Sequence, residues 1–164
     1  GHGVDVNYKK AFEWFDKAAD QGYASAQCNL GTMYYHGHGV DVNYKKAIEW
    51  FEKAAKQGFA GAQCNLGVMY QNGQGVDVNY KKAIDWYEKA AEQGHAYAQY
   101  NLGVMYERGL CVDQSDSIAM RWYGKAAAQS HKGAQEQINK ILTKRRALRA
   151  KSDASGGRDG GSAD

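Results

Sequence analysis

The nonapeptide Gly-Val-Asp-Val-Asn-Tyr-Lys-Lys-Ala occurs three times, at Gly3 to Ala11, Gly39 to Ala47 and Gly75 to Ala83, so the chain returns to itself every 36 residues. A fixed period of this size means one small supersecondary unit per copy. Such a unit cannot bury its apolar face alone, so neighbouring copies must stack and share a core. Residues 3–38 and 39–74 differ at 9 of 36 positions, and 39–74 and 75–110 at 9 again, which points to recent duplication or to a consensus array. A fourth, more divergent copy begins at Cys111.

Each copy reads as two helices. In the third, Tyr80 to Gln93 spaces Ala83, Ile84, Trp86, Tyr87, Ala90 and Ala91 by three and four residues, with Lys81, Lys82, Asp85 and Glu88 left for the wet side. Asn79 precedes this B helix as an N-cap, as do Asn7, Asn43 and Ser115 in the other copies. Gly22, Gly58 and Gly94 follow it, where a left-handed closing residue suits glycine. The A helix then runs from Ala96 to Arg108, with Ala98, Leu102, Met105 and Tyr106 on one stripe. Small residues at Ala54, Ala55, Ala62 and Gly67 let helices approach closely, while Trp50, Phe51, Leu66 and Tyr70 fill the space between repeats. The chain has no proline, and glycine supplies every break.

The fourth copy carries the marks of an array end. Cys111 and Ser130 replace loop glycines, and Gly124 enters the middle of a B helix at a cost of about 1 kcal/mol relative to Ala. Ala134, Gln135 and Ile138 align with Ala98, Gln99 and Leu102, which predicts a last A-type helix from about Lys132 to Ala150, capping the core with Ile138, Ile141 and Leu142. Residues 1–151 are therefore expected to form the array. Residues 152–164, with four Gly and no apolar residue larger than Ala, are expected to be a disordered tail. At the other end Gly1-His2-Gly3 aligns with Gly37-His38-Gly39, so the sequence is expected to open inside a repeat, as a piece of a longer chain that could carry other domains.

The net charge of +3 is unevenly spread. Residues 1–130 hold 13 basic against 14 acidic side chains, a net of −1, whereas residues 131–151 hold 7 against 1, a net of +6. No run of apolar residues is long enough for a membrane span. Three cysteines are too few for a disulfide framework, and Cys28 and Cys64 lie one period apart on helices whose axes are roughly 8–10 Å apart, so free thiols and a reducing compartment are expected.

The pattern Ala-x-Ala-Gln-x-x-Leu-Gly-x-x-Tyr-x-x-Gly-x-Gly-Val at Ala60 to Val76, with Lys-Ala-x-x-Trp-Phe-x-Lys-Ala-Ala-x-Gln-Gly at Lys46 to Gly58, resembles the Sel-one-like repeat, a relative of the tetratricopeptide repeat. The likeness covers about residues 1–138, in register over three copies. It implies an all-α fold: a right-handed solenoid of antiparallel helix pairs with A helices lining a concave face, and a scaffold or adaptor role.

By analogy with tetratricopeptide grooves, three rows are candidates for contact with a protein or peptide: Ser25, Cys28, Thr32, Tyr35 and His36; Gly61, Cys64, Val68, Gln71 and Asn72; and Tyr97, Tyr100, Val104, Glu107 and Arg108. Asn29, Asn65 and Asn101 recur beside them. Tyrosine and arginine are the types that dominate interface energy. A second candidate surface is the basic stretch Lys140, Lys144, Arg145, Arg146, Arg149 and Lys151, able to meet an acidic partner, an anionic membrane or nucleic acid. An array without net positive charge disfavours nucleic acid. A third reading, a structural spacer or designed array with no ligand of its own, follows from the near-identity of the copies.

Catalytic and cofactor chemistry find little support in the residues. The Gly-x-Gly loops lack the strand and the Lys-Ser/Thr of a nucleotide loop. Some relatives of the family are linked to penicillin binding, but the Ser-x-x-Lys signature is missing. Cys28 and His36 are eight residues apart on one helix, about 12 Å, too far for nucleophile activation. His36 and His38 would be half a metal site with no third ligand recurring nearby. No cofactor, metal or enzymatic activity is expected.

Overall fold

The computed structural model describes residues 7–156. These residues fold into eight helices and no strand: α1 Tyr8–Asp20, α2 Ala24–His36, α3 Tyr44–Lys56, α4 Ala60–Asn72, α5 Tyr80–Glu92, α6 Ala96–Arg108, α7 Asp116–Ala128 and α8 Lys132–Gly156. Odd-numbered helices are the B type of the sequence and even-numbered helices the A type, and each packs on its neighbours in chain order to build an α-solenoid.

The boundaries follow from the repeated cap residues. Side-chain oxygens of Asn7, Asn43 and Asn79 accept from the backbone amides of Lys10, Lys46 and Lys82 at 3.0, 3.0 and 2.9 Å, and Ser115 accepts from that of Ile118 at 3.3 Å. Each satisfies an amide that the first helical turn leaves unpaired. At the exits of the A helices Gly37, Gly73 and Gly109 are left-handed, with φ of +74°, +67° and +65°. Where the fourth copy lacks glycine the backbone keeps the same form, so Cys111 at φ +60° and Ser130 at φ +62° hold a conformation costly for L-residues.

Between repeats a ring fits into a glycine notch. Phe51, Tyr87 and Tyr123, each on a B helix and at most 1% exposed, lie over Gly31, Gly67 and Gly103 of the preceding A helix. A methyl group at these glycines would sit 2.7 Å from the ring at Gly31, 2.5 Å at Gly103 and closer still at Gly67. The glycine is thus what lets the two helices meet face to ring.

A ladder of glutamines ties the same interfaces. The side-chain amides of Gln27, Gln63 and Gln99, each 5% exposed, donate to the carbonyls of Ala19, Ala55 and Ala91 at 3.2–3.3 Å. Their carbonyls accept from Gln57, Gln93 and Gln129, which close the C-terminal ends of the next B helices, each at 2.8 Å. A buried amide left unpaired would cost about 1–3 kcal/mol, so the ladder fixes helix register as well as adding hydrogen bonds.

Both ends of the array differ from its middle. Trp50, Trp86 and Trp122 are half-buried against the preceding repeat, whereas Trp14, with no described helix before α1, is 73% exposed. On α8 the notch position is Asn139, not glycine. The last helix also runs to Gly156 rather than stopping near Ala150, because Lys151 to Ala154 contains no helix breaker. Of the tail expected at 152–164, residues 157–164 lie outside the described residues.

Candidate binding face

The A helices present their candidate residues side by side. Thr32, Tyr35 and His36 of α2 line one cavity with Asn65, Val68 and Met69 of α4 and Phe51 of α3. Its volume, about 160 Å³, is small beside the several hundred Å³ of a typical small-molecule site, so it suits one side chain of a partner better than a cofactor. His36, Asn72 and Arg108, at the C-terminal ends of their helices, are exposed, as are Ser25 and Tyr97 near the N-terminal ends. Val68 and Val104 are half-buried. Asn29 is exposed, and Asn65 and Asn101 are half-buried.

Two expected contact residues are not on the open surface. Cys28 and Cys64 are 7% and 4% exposed and belong to the core clusters, where the next row of helices covers them. Asn65 Nδ2 lies 3.9 Å from Cys28 Sγ, as a weak donor to sulfur. Burial pushes the Cys28 thiol up to about 11 and the Cys64 thiol up to about 12, with the neighbouring Cys28 sulfur adding to the second. An activated nucleophile needs the opposite shift.

Gln71 and Glu107 have a structural occupation that their variation conceals. The Tyr87 hydroxyl donates to Gln71 Oε1 at 2.8 Å, and the Tyr123 hydroxyl donates to Glu107 Oε2 at 2.5 Å. In the first interface the notch ring is Phe51, which has no hydroxyl, and the matching A-helix residue is Tyr35. Tyr35 turns away and donates to Gln74 Oε1 at 3.0 Å. The acceptor therefore changes together with the ring one period later. Burial raises the pKa of both Tyr87 and Tyr123, and Glu107 adds to the rise at Tyr123, so both phenols stay protonated as donors.

Tyr97 and Tyr100 differ in role. Tyr97 is 65% exposed and meets His131 edge-on, ring centroids 4.7 Å apart. Tyr100 is half-buried, stacks on His131 at 4.5 Å and tilts against Tyr123 at 5.4 Å. It belongs in part to the packing of α6 on α7 and α8.

The basic stretch does not form one face. Arg145 points to α7, where it donates to Ser117 Oγ at 3.1 Å and lies 3.9 Å from the Asp116 carboxylate. Lys140 pairs with Glu136 at 2.7 Å, and this exposed partner raises its pKa first, with Tyr100 and Glu107 of α6 adding to the shift. Tyr100 and Glu107 flank Val104, the residue one period before Lys140. At the start of α8 a methyl group on Gly133 would lie 3.4 Å from the Tyr100 ring, and in that register Lys140 takes the position of Val104. Lys144, Arg146, Arg149 and Lys151 are exposed. The rings of His36 and His38 stack at 5.3 Å, and among the described residues no group of three or more His, Cys, Asp or Glu is arranged to hold a metal. No described helix is long and apolar enough to cross a membrane.

The Sel1 repeat family model matches residues 1–23, 24–59, 60–95 and 96–131. No curated protein matches the chain. Among solved structures it is similar to a protective antigen of uropathogenic Escherichia coli with an SLR fold, at 43% identity and a TM-score of 0.76 over 82% of this chain and 29% of that one. It is also similar to a Sel1 repeat protein of Oxalobacter formigenes, at 38% identity and a TM-score of 0.79 over 84% and 56% of the two chains. Cysteine-rich protein B of Helicobacter pylori follows at 25% identity and a TM-score of 0.63, over 84% of this chain and all of that one. The chain thus spans well under two thirds of the first two relatives.

Proposed function

Because the chain belongs to the Sel1 repeat family, whose members are generally protein-interaction scaffolds, we propose that it is a non-catalytic adaptor that holds a peptide or protein segment against its A-helix face. One observation carries this reading. Notch glycines, glutamine ladder and B-helix caps persist through the near-identical copies, while Ser25, His36 and their counterparts Gly61, Tyr97, Asn72 and Arg108 change. Of these, Ser25, Tyr97, His36, Asn72 and Arg108 are exposed. A framework held constant under a varied exposed row suits recognition by a pre-formed surface, where a few aromatic and arginine contacts dominate affinity.

The test is affinity capture from a host extract with the intact chain, a Tyr97→Ala/Arg108→Ala variant and a Glu49→Ala/Asp85→Ala variant on the exposed B-helix side. The proposal predicts a partner retained by the third and lost, about tenfold or more, by the second. Equal capture by all three would remove the A-helix face. Capture by none would favour the spacer reading.

A further inference from the structure

Building on that adaptor reading, we infer that α8 is the fourth row of the same face, and that the partner is an extended peptide whose acidic end lies across α6 and α8. Lys140 stands one period after Val104, and at the start of α8 a methyl group on Gly133 would lie 3.4 Å from the Tyr100 ring, which stacks on His131, so α8 continues the row of α6 in register. Lys144 and Lys151, four and eleven residues further on, share its stripe of the helix. Arg145 turns to α7 instead, and Arg146 and Arg149 fall off the Lys140 stripe. The sequence's two candidate surfaces therefore meet at Lys140 and Lys144.

Charge gives this face a direction. The rows on α2 and α4 offer Thr32, Tyr35, His36, Val68, Gln71 and Asn72, with no Lys, Arg, Asp or Glu among them. Towards α8 come Arg108, Lys140, Lys144 and Lys151 against Glu107 and Glu136. Glu107 already accepts from the Tyr123 hydroxyl, and Glu136 is held only in a solvent-exposed pair with Lys140. Such pairs contribute little, so a ligand carboxylate can replace Glu136. The surplus of positive charge on residues 131–151 steers an acidic segment to this end, and the cavity between α2 and α4, lined by no Lys, Arg, Asp or Glu, takes a side chain at the other. Four rows at roughly 9 Å spacing span about 27 Å. An extended peptide of about eight or nine residues covers that distance.

The experiment titrates the ¹⁵N-labelled chain with three nonapeptides of Thr, Val and Ala: one carrying three Glu at its N-terminus, one carrying them at its C-terminus, and one without Glu. It is repeated on Lys140→Glu/Lys144→Glu and on Arg146→Glu/Arg149→Glu, which change net charge equally. The expected result is that one acidic peptide perturbs α2, α4, α6 and α8 together. The first double variant should lose affinity about tenfold or more, and the second less than about threefold. Equal binding of the peptide without Glu on α2, α4 and α6, or equal losses in the two variants, overturns the acidic-end assignment and leaves the adaptor reading standing. Perturbations confined to the B helices overturn both. No binding of any peptide at millimolar concentration overturns the acidic-end assignment. Anionic vesicles or an oligonucleotide that outcompete the peptide and depend on Arg146 and Arg149 also overturn it, moving the role of α8 to its outer side.

Discussion

At Cys28 and Cys64 burial sets the chemistry. With thiols held up to about 11 and about 12, both stay protonated at pH 8, and the core shields them from reagents. Cys111 is exposed at its loop corner. With a thiol reagent at pH 8 under native conditions, one thiol per chain should therefore react promptly, and the other two only after denaturant opens the array. Prompt reaction of all three would show that the A-helix rows do not close over the first two. At this scale Gln71 and Glu107 also show that variation points to a contact surface only where the varied residue is exposed and not already bonded within the fold. Each follows the hydroxyl of the tyrosine sixteen residues later, Tyr87 or Tyr123, a dependence visible only once the ring and its acceptor are placed together.

Helix pairing rests on the contrast between two kinds of helical glycine. Gly67 receives the Tyr87 ring, whereas a methyl group at Gly124 would meet nothing within 4 Å. Gly67→Ala should destabilise by about 1–3 kcal/mol, because neither ring nor backbone can retreat in a packed interface. Gly124→Ala should stabilise by about 1 kcal/mol through helix propensity alone. Thermal unfolding of the two variants checks this: the midpoint should fall for the first and rise for the second, by about 2–4 °C per kcal/mol. A shift of the same sign in both would refute the notch. At the matching position of α8 stands Asn139, whose side chain would meet a ring seated there as Tyr87 is on Gly67.

Across the whole molecule, the 36-residue period, the capping asparagines and the glycine breaks were enough to place all eight helices, since each acts locally and each is written three or four times. The candidate face was legible only in part. An A-helix offset says which side a residue leaves from, but the following row decides whether it is covered, and that is how Cys28 and Cys64 were misplaced. Tyr100 is half-buried because His131 and Tyr123 happen to meet it, whereas the register of Lys140 on Val104 was legible from the alignment of Ala134 and Ile138 with Ala98 and Leu102. The glutamine ladder left one signal in the sequence, the recurrence of Gln27, Gln63 and Gln99 on a stripe otherwise apolar. The most direct test of the adaptor account is positional crosslinking: a photoreactive residue placed at Asn72 on the A-helix face or at Asp85 on the B-helix side, both exposed, followed by irradiation in host extract. The account predicts one discrete crosslinked partner from Asn72 and none from Asp85. The same partner from both positions, or from Asp85 alone, would contradict it.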